Sequence, residues 1–292
     1  MTAAGTSDQV ASGPVVAALD ASLLTRDVCR YAAWAAQRLA APLDCLHVVE
    51  TRRARSKAGP VAEIALDAGT ALLDEAGFLE ASGALAGDAR GRLLLQQATA
   101  LARQSRDLPV RALMGHGQLV EVLDSASTGA ALVVMGRRGE QSEFEKARLG
   151  SQVQRVVRGV ERPLLVALRG FREIRTVLVA FEGSERGRRR LEWVARSPLL
   201  AGLDIHLVLV GDGSARPALD WALQTLADAG MTAVGRIVQG DPQEMIGLHA
   251  DAVRADLLVM GAYGRSRIHQ LLMGSTTSMV LQETRIPVVL LH

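Results

Sequence analysis

The sequence predicts a doubly wound α/β protein built from two tandem copies of one unit. Three observations carry that reading: the length, an internal repeat, and apolar runs that do not alternate. At 292 residues the chain is about two domains long, taking roughly 150 residues per domain. Val133–Gly139 (VVMGRRG) is echoed by Leu258–Gly264 (LVMGAYG), Gly150-Ser151 by Gly274-Ser275, and Pro163 by Pro287, all at nearly one offset. Repetition at a constant offset marks a duplicated unit. Gly115 and Gly240 keep the same offset, whereas upstream Asp44 matches Asp204 and Asp20 matches Glu182 at a larger one. The first copy therefore carries an insertion between Glu50 and Gly115.

The expected organisation is a disordered tail at 1–12, a first domain at 13–170 with its insertion at about 51–90, and a second domain at 171–292. Strands of the first copy are read at Pro14–Leu19, Leu43–Val49, Val110–Met114, Ala131–Met135 and Leu164–Leu168. Those of the second are Thr176–Phe181, Leu203–Val210, Ala233–Val238, Leu257–Met260 and Val288–Leu291. Continuous apolar runs mean burial on both faces, as in a parallel sheet covered by helices. Val28–Leu39, Arg92–Arg103, Leu219–Ala229 and Met245–Val253 have the helical period between them, and a further helix is expected from Val61 to about Leu79. Alternating strands and helices with right-handed crossovers make each copy a Rossmann-like five-stranded sheet between helices. The two last strands are apolar and lack the charge that usually protects an edge. Their pairing would join the copies as an intrachain pseudo-dimer; association of whole chains into a homodimer is left open.

Composition excludes several classes. The 33 basic and 31 acidic residues nearly cancel, and aromatics are 3%, so neither a basic surface nor a stacking platform for nucleic acid is indicated. No apolar run is long enough to span a membrane, and the small, polar start is unlike a signal peptide, so a cytoplasmic location is expected. Cys29 and Cys45 are read as buried hydrophobes in a reducing compartment. The six histidines are scattered, and no metal site is expected. Arg52, Arg53, Arg55 and Lys57 in the insertion, and Arg186, Arg188, Arg189 and Arg190 later, read as mostly solvated charge.

In open α/β sheets ligands bind beyond the carboxyl ends of the strands, where strand order reverses. There the second copy places Gly261-Ala262-Tyr263-Gly264, nine residues from Arg265 to Met273, then Gly274-Ser275-Thr276. Gly261 and Gly264 let the backbone turn and approach a ligand closely. Gly274-Ser275-Thr276 opens the last helix, whose free N–H groups and dipole favour phosphate. Arg265 and Arg267 add positive charge.

Gly-x2-Gly-x9-Gly-Ser after an apolar strand, followed by a helix and a proline-led strand, resembles the universal stress protein family over nearly the whole chain. The resemblance implies two tandem adenine nucleotide alpha hydrolase-like domains, of a kind that often binds ATP. It implies a site formed by Gly261, Ala262, Tyr263, Gly264, Arg265, Ser266, Arg267, Gly274, Ser275, Thr276 and Thr277, with Phe181, Glu182, Val210 and Met260 at the strand ends. A weaker first-domain site is implied at Asp20, Gly136, Gly139, Gly150 and Ser151. There ten residues, Glu140 to Leu149, separate the glycines, and they include Glu140, Glu143 and Glu145, which repel phosphate. The family's strand-one acid is kept as Asp20 but lengthened to Glu182 in the second copy.

The expected function is a stress-response protein that binds ATP or AMP, with or without Mg, and signals through a protein partner the sequence does not name. The alternative is an interaction scaffold whose sites no longer bind nucleotide. An enzyme of another nucleotide-using family is disfavoured. There is no Gly-x4-Gly-Lys-Ser/Thr loop, no full Gly-x-Gly-x-x-Gly and no nucleophile elbow, so no catalytic residue is assigned.

Overall fold

The computed structural model describes residues 13–50, 61–66, 87–105, 107–137, 150–262 and 275–292, together with Leu73, Gly77 and Leu85. The expected tail at 1–12 and the basic cluster at 52–57 lie outside the described residues. The first copy runs β1 (Val15–Leu19), α1 (Thr25–Arg38), β2 (Leu43–Val49), β3 (Ala62–Glu63), α2 (Gly87–Ser105), β4 (Val110–His116), α3 (Leu119–Ala126), β5 (Leu132–Gly136), α4 (Ser151–Gly159) and β6 (Leu164–Ala167). The second runs β7 (Thr176–Phe181), α5 (Glu185–Arg196), β8 (Asp204–Val210), α6 (Arg216–Asp228), β9 (Ala233–Val238), α7 (Pro242–Ala252), β10 (Leu257–Gly261), α8 (Ser275–Glu283) and β11 (Val288–Leu291).

Among the described residues all the strands belong to one 11-stranded sheet in the order β3-β4-β2-β1-β5-β6-β11-β10-β7-β8-β9. Either half has the same internal order, with parallel pairs throughout except for the short edge strand β3. The halves meet at β6 and β11, which pair antiparallel with Val166 opposite Val288 and Leu165 opposite Val289. Each of those four side chains is at most 1% exposed. Two apolar edges thus satisfy each other's backbone groups away from water, as the missing edge charge implied. A large apolar cluster lies on each face of the sheet and crosses the seam. One contains Tyr31 and Trp34 from the buried face of α1.

Across the seam Arg137, just after β5, caps the other copy's α8. Its Nη1 donates to Thr284 O at 2.7 Å and to Leu281 O and Gln282 O at 3.4 Å. A cation at a helix C-terminus meets both the orphan carbonyls and the negative dipole end.

Three sequence expectations need correction. The helix expected from Val61 begins instead as β3, which pairs antiparallel with β4, and Ile64 N–H donates to Ala112 O at 2.9 Å. The open edge of β4 recruits this segment, and local helical spacing does not outweigh those backbone bonds. Gly240 matches Gly117 rather than Gly115. Both have φ near +135° (134° and 139°), a region only glycine adopts freely, and β4 and β9 come into step on that match. Likewise the strand register sets Asp44 in step with His206, not Asp204. Asp44 is buried and takes two hydrogen bonds from the Arg111 guanidinium at 2.6 and 2.7 Å.

Cys29 and Cys45 are free and fully buried. Burial pushes the Cys29 thiol up to about 12 and Cys45 well above its ordinary value. Since the thiolate is the nucleophile, neither should react with an aromatic disulfide reagent at mildly alkaline pH until the chain is unfolded in guanidinium. Rapid labelling of the native protein would contradict this placement.

Candidate functional site

In the second copy, strand order reverses between β7 and β10. A cavity of about 270 Å³ opens at their carboxyl ends. Its walls are apolar, from Phe181, Val208, Val210 and Met260, with Ile246 of α7 closing one side. Its polar groups are few: Glu182, Arg190, Thr276 and Thr277. An apolar cleft with a few convergent polar groups at a switch point is the usual form of a small-ligand site.

The local sequence explains how those groups are held. Glu182 follows the end of β7, and Gly183 takes φ +68° to turn the chain into α5. Ser184 caps that helix by accepting Gly187 N–H at 3.1 Å. Its hydroxyl donates to Glu182 Oε1 at 2.9 Å, and Arg190 Nη1 donates to the same oxygen at 3.2 Å. Gly187, Arg190, Leu191 and Val194 are the buried residues of α5, the spacing of one helical face. Arg190 is therefore on the core stripe and only 7% exposed. Burial lowers its pKa and the Glu182 carboxylate opposes that shift, so the guanidinium stays charged.

Gly261 has a different role from the one its spacing suggests. A Cβ there would sit 2.0 Å from Arg190 Nη1. The glycine makes room for the guanidinium at the end of β10. On the other side, Thr277 is 1% exposed and its hydroxyl donates to Gly261 O at 3.4 Å. That contact ties the first turn of α8 to the end of β10.

Of the expected second-copy residues, Phe181, Glu182, Val210, Met260, Gly261, Thr276 and Thr277 all line the cavity. Ala262 is buried beside it, its N–H donating to Leu291 O at 2.8 Å. Tyr263, Gly264, Arg265, Ser266, Arg267 and Gly274 lie outside the described residues; Ser275 opens α8. Arg190 was missed. The basic run around it reads as solvated charge, and Arg186 and Arg189 are indeed exposed. Arg188, though, lies over the Trp221 ring at 4.5 Å, and Arg190 is buried. Its helical spacing from Gly187, Leu191 and Val194 was the available signal.

The first copy is built differently at the matching places. Asp20 is one methylene shorter and accepts Ser22 N–H at 3.2 Å, while the position matching Arg190 is Val28, a core residue. Gly136 ends β5, Gly150 precedes α4 as its cap, and Ser151 is exposed at the start of that helix. Gly139 lies outside the described residues. Glu50, after β2, accepts a hydrogen bond from Gln152 Nε2 in the first turn of α4 at 2.6 Å. An acid thus stands beside the helix start that a phosphate would need.

The sequence model described as the universal stress protein family matches residues 12–167 and 173–292. The chain belongs to the universal stress protein family. A relative of this universal stress protein, Slr1230 of Synechocystis sp., also a universal stress protein, is 32% identical over 265 residues, covering 89% of this chain and 92% of that one. Among solved structures, a universal stress protein from Archaeoglobus fulgidus aligns with a TM-score of 0.67 at 18% identity, covering 97% of both chains. A protein of unknown function from Pseudomonas aeruginosa, PA1789, aligns at 0.62 and 15% identity over 97% and 93%. At those identities the two structures bear on the fold, which they share. Among the described residues no helix of this universal stress protein is long and apolar enough to cross a membrane.

Proposed function

We propose that this universal stress protein binds an adenine nucleotide in its second domain and acts as a binding protein in the stress response rather than as an enzyme. The observation that carries the reading is the cavity at the β7/β10 switch point, into which seven of the expected residues converge. The apolar walls suit a purine ring. The Glu182 carboxylate suits sugar hydroxyls or an exocyclic amine, which donate hydrogen bonds. Arg190 and the α8 N-terminus with Thr276 give positive potential where phosphates would lie. The residues present therefore fit ATP or AMP, and the bound nucleotide would be the signal itself. In the first domain the helix start faces Glu50, Val28 replaces the arginine, and Arg137 is committed to capping α8. One nucleotide per chain follows.

Calorimetry of the full chain with ATP should show a stoichiometry near one, and Gly274→Leu should abolish binding while the thermal melt is unchanged. Two sites of similar affinity, or an unchanged affinity in the variant, would refute the assignment.

A further inference from the structure

The two copies form two matching grooves at opposite ends of the β6/β11 seam. The chain itself fills the first. Its link, Arg169–Arg175, leaves the end of β6, bends at Gly170 (φ +84°) and crosses to β7 beside α1. Asp27 of α1 is 8% exposed and accepts Gly170 N–H at 2.9 Å and Phe171 N–H at 2.8 Å. The Phe171 ring meets Tyr31 edge-on with centroids 4.8 Å apart. An acid takes the backbone donors and an aromatic takes the side chain.

The mate groove lies under α5, between the end of β11 and the starts of β5 and β6. It is a cavity of about 570 Å³ lined by Arg162, Arg186, Arg189, Arg190, Trp193 and Arg196, with Glu161 and Glu192. No described segment occupies it. The match of Asp20 with Glu182 continues through the two helices without a gap, since Ala40 and Gly202 share positive φ at their ends. Trp193 therefore stands where Tyr31 stands, and Arg189 where Asp27 stands. Arg186 and Arg196 replace Leu24 and Trp34. The aromatic seat is kept, while the acid and two apolar neighbours have become arginines. Arg162, Arg186 and Arg196 make no ion pair among the described residues, and the Arg189–Glu185 pair is exposed, so it is worth little.

We propose that this groove binds an extended acidic segment of a partner protein, with an aromatic side chain seated on Trp193 as Phe171 is seated on Tyr31. Carboxylates of the segment pair with the arginines, whose planar forks suit them. A compact polyphosphate would use the charge but leave the aromatic seat empty.

The test is an anisotropy titration of the full chain with a labelled synthetic peptide, one phenylalanine flanked by aspartates. Saturable binding is expected, weakened by salt and at least tenfold by Arg189→Gln with Arg196→Gln. Trp193→Ala should weaken it similarly, with Trp193→Tyr restoring it, and an alanine in place of the peptide's phenylalanine should do the same as Trp193→Ala. Thermal melts confirm that each variant is folded. Absence of binding, equal binding by the arginine variants, or indifference to the phenylalanine while tripolyphosphate competes fully would overturn the proposal. So would salt-sensitive self-association of the chain that the arginine variants abolish, since the occupant would then be a second copy. Arg190 lines both cavities and is left unchanged, and Arg189, Trp193 and Arg196 line the groove alone, so ATP affinity should be unchanged, and failure here leaves the nucleotide assignment standing.

Discussion

Arg190→Gln is expected to weaken ATP binding at least tenfold, about 1.4 kcal/mol, while AMP binding falls less. The guanidinium lies against Gly261 at the end of β10, close to the first turn of α8, so its charge should act on the phosphate chain more than on the purine or sugar. ATP carries more of that charge than AMP. Because Arg190 is buried and Glu182 is its partner, the substitution also leaves a carboxylate short of a hydrogen bond. The Glu182 side chain is 29% exposed and can be rehydrated, so the stability cost should be modest, about 1–3 kcal/mol. The double variant Glu182→Gln/Arg190→Gln separates the two effects. It should recover part of the stability and none of the ATP affinity. If Arg190→Gln binds ATP as the parent does, or loses ATP and AMP equally, the charge does not serve the phosphates and the guanidinium is structural only.

The largest stability effect is expected at the seam. Leu165 is fully buried opposite Val289, with apolar neighbours from both copies on the same face. Leu165→Asp places an unpaired charge there, a change of the class that costs more than about 4 kcal/mol. Both halves should suffer together, because the strand belongs to a sheet they share. The control is Val234→Asp on β9, where the parent side chain is 58% exposed and the change should stay within about 0.5 kcal/mol. Denaturant unfolding measures both. A Leu165→Asp chain whose second half unfolds at the parental midpoint would show that the seam contributes nothing to holding the copies together.

How much of this was legible beforehand can be traced residue by residue. Duplication, the parallel strands and the seam all follow from local facts: a repeat at constant offset, apolar runs too short and continuous for anything but a covered sheet, and last strands without protective charge. The place of the second-copy cavity was legible for the same reason, since the order of strands and helices fixes where the carboxyl ends of β7 and β10 meet. Register was harder. Asp44 and Asp204 both open apolar runs, yet the ladder sets Asp44 in step with His206, because hydrogen bonding to β1 and β7 counts residues and sequence inspection compares types.

What the sequence by itself determined is the architecture: two copies, their strand content, and which end of the sheet carries the glycines. Tertiary structure alone decided which charges are buried, and with that what Gly261 is for. Within one run of basic residues, Arg186 and Arg189 face water while Arg190 enters the cavity, because the fate of each depends on which neighbour closes over its helix face. The opposed grooves at the seam are likewise a tertiary product. They exist only once β6 and β11 pair antiparallel, which sets one copy's strand ends beside the other's strand starts. The link that leaves β6 can fill only one of the two grooves.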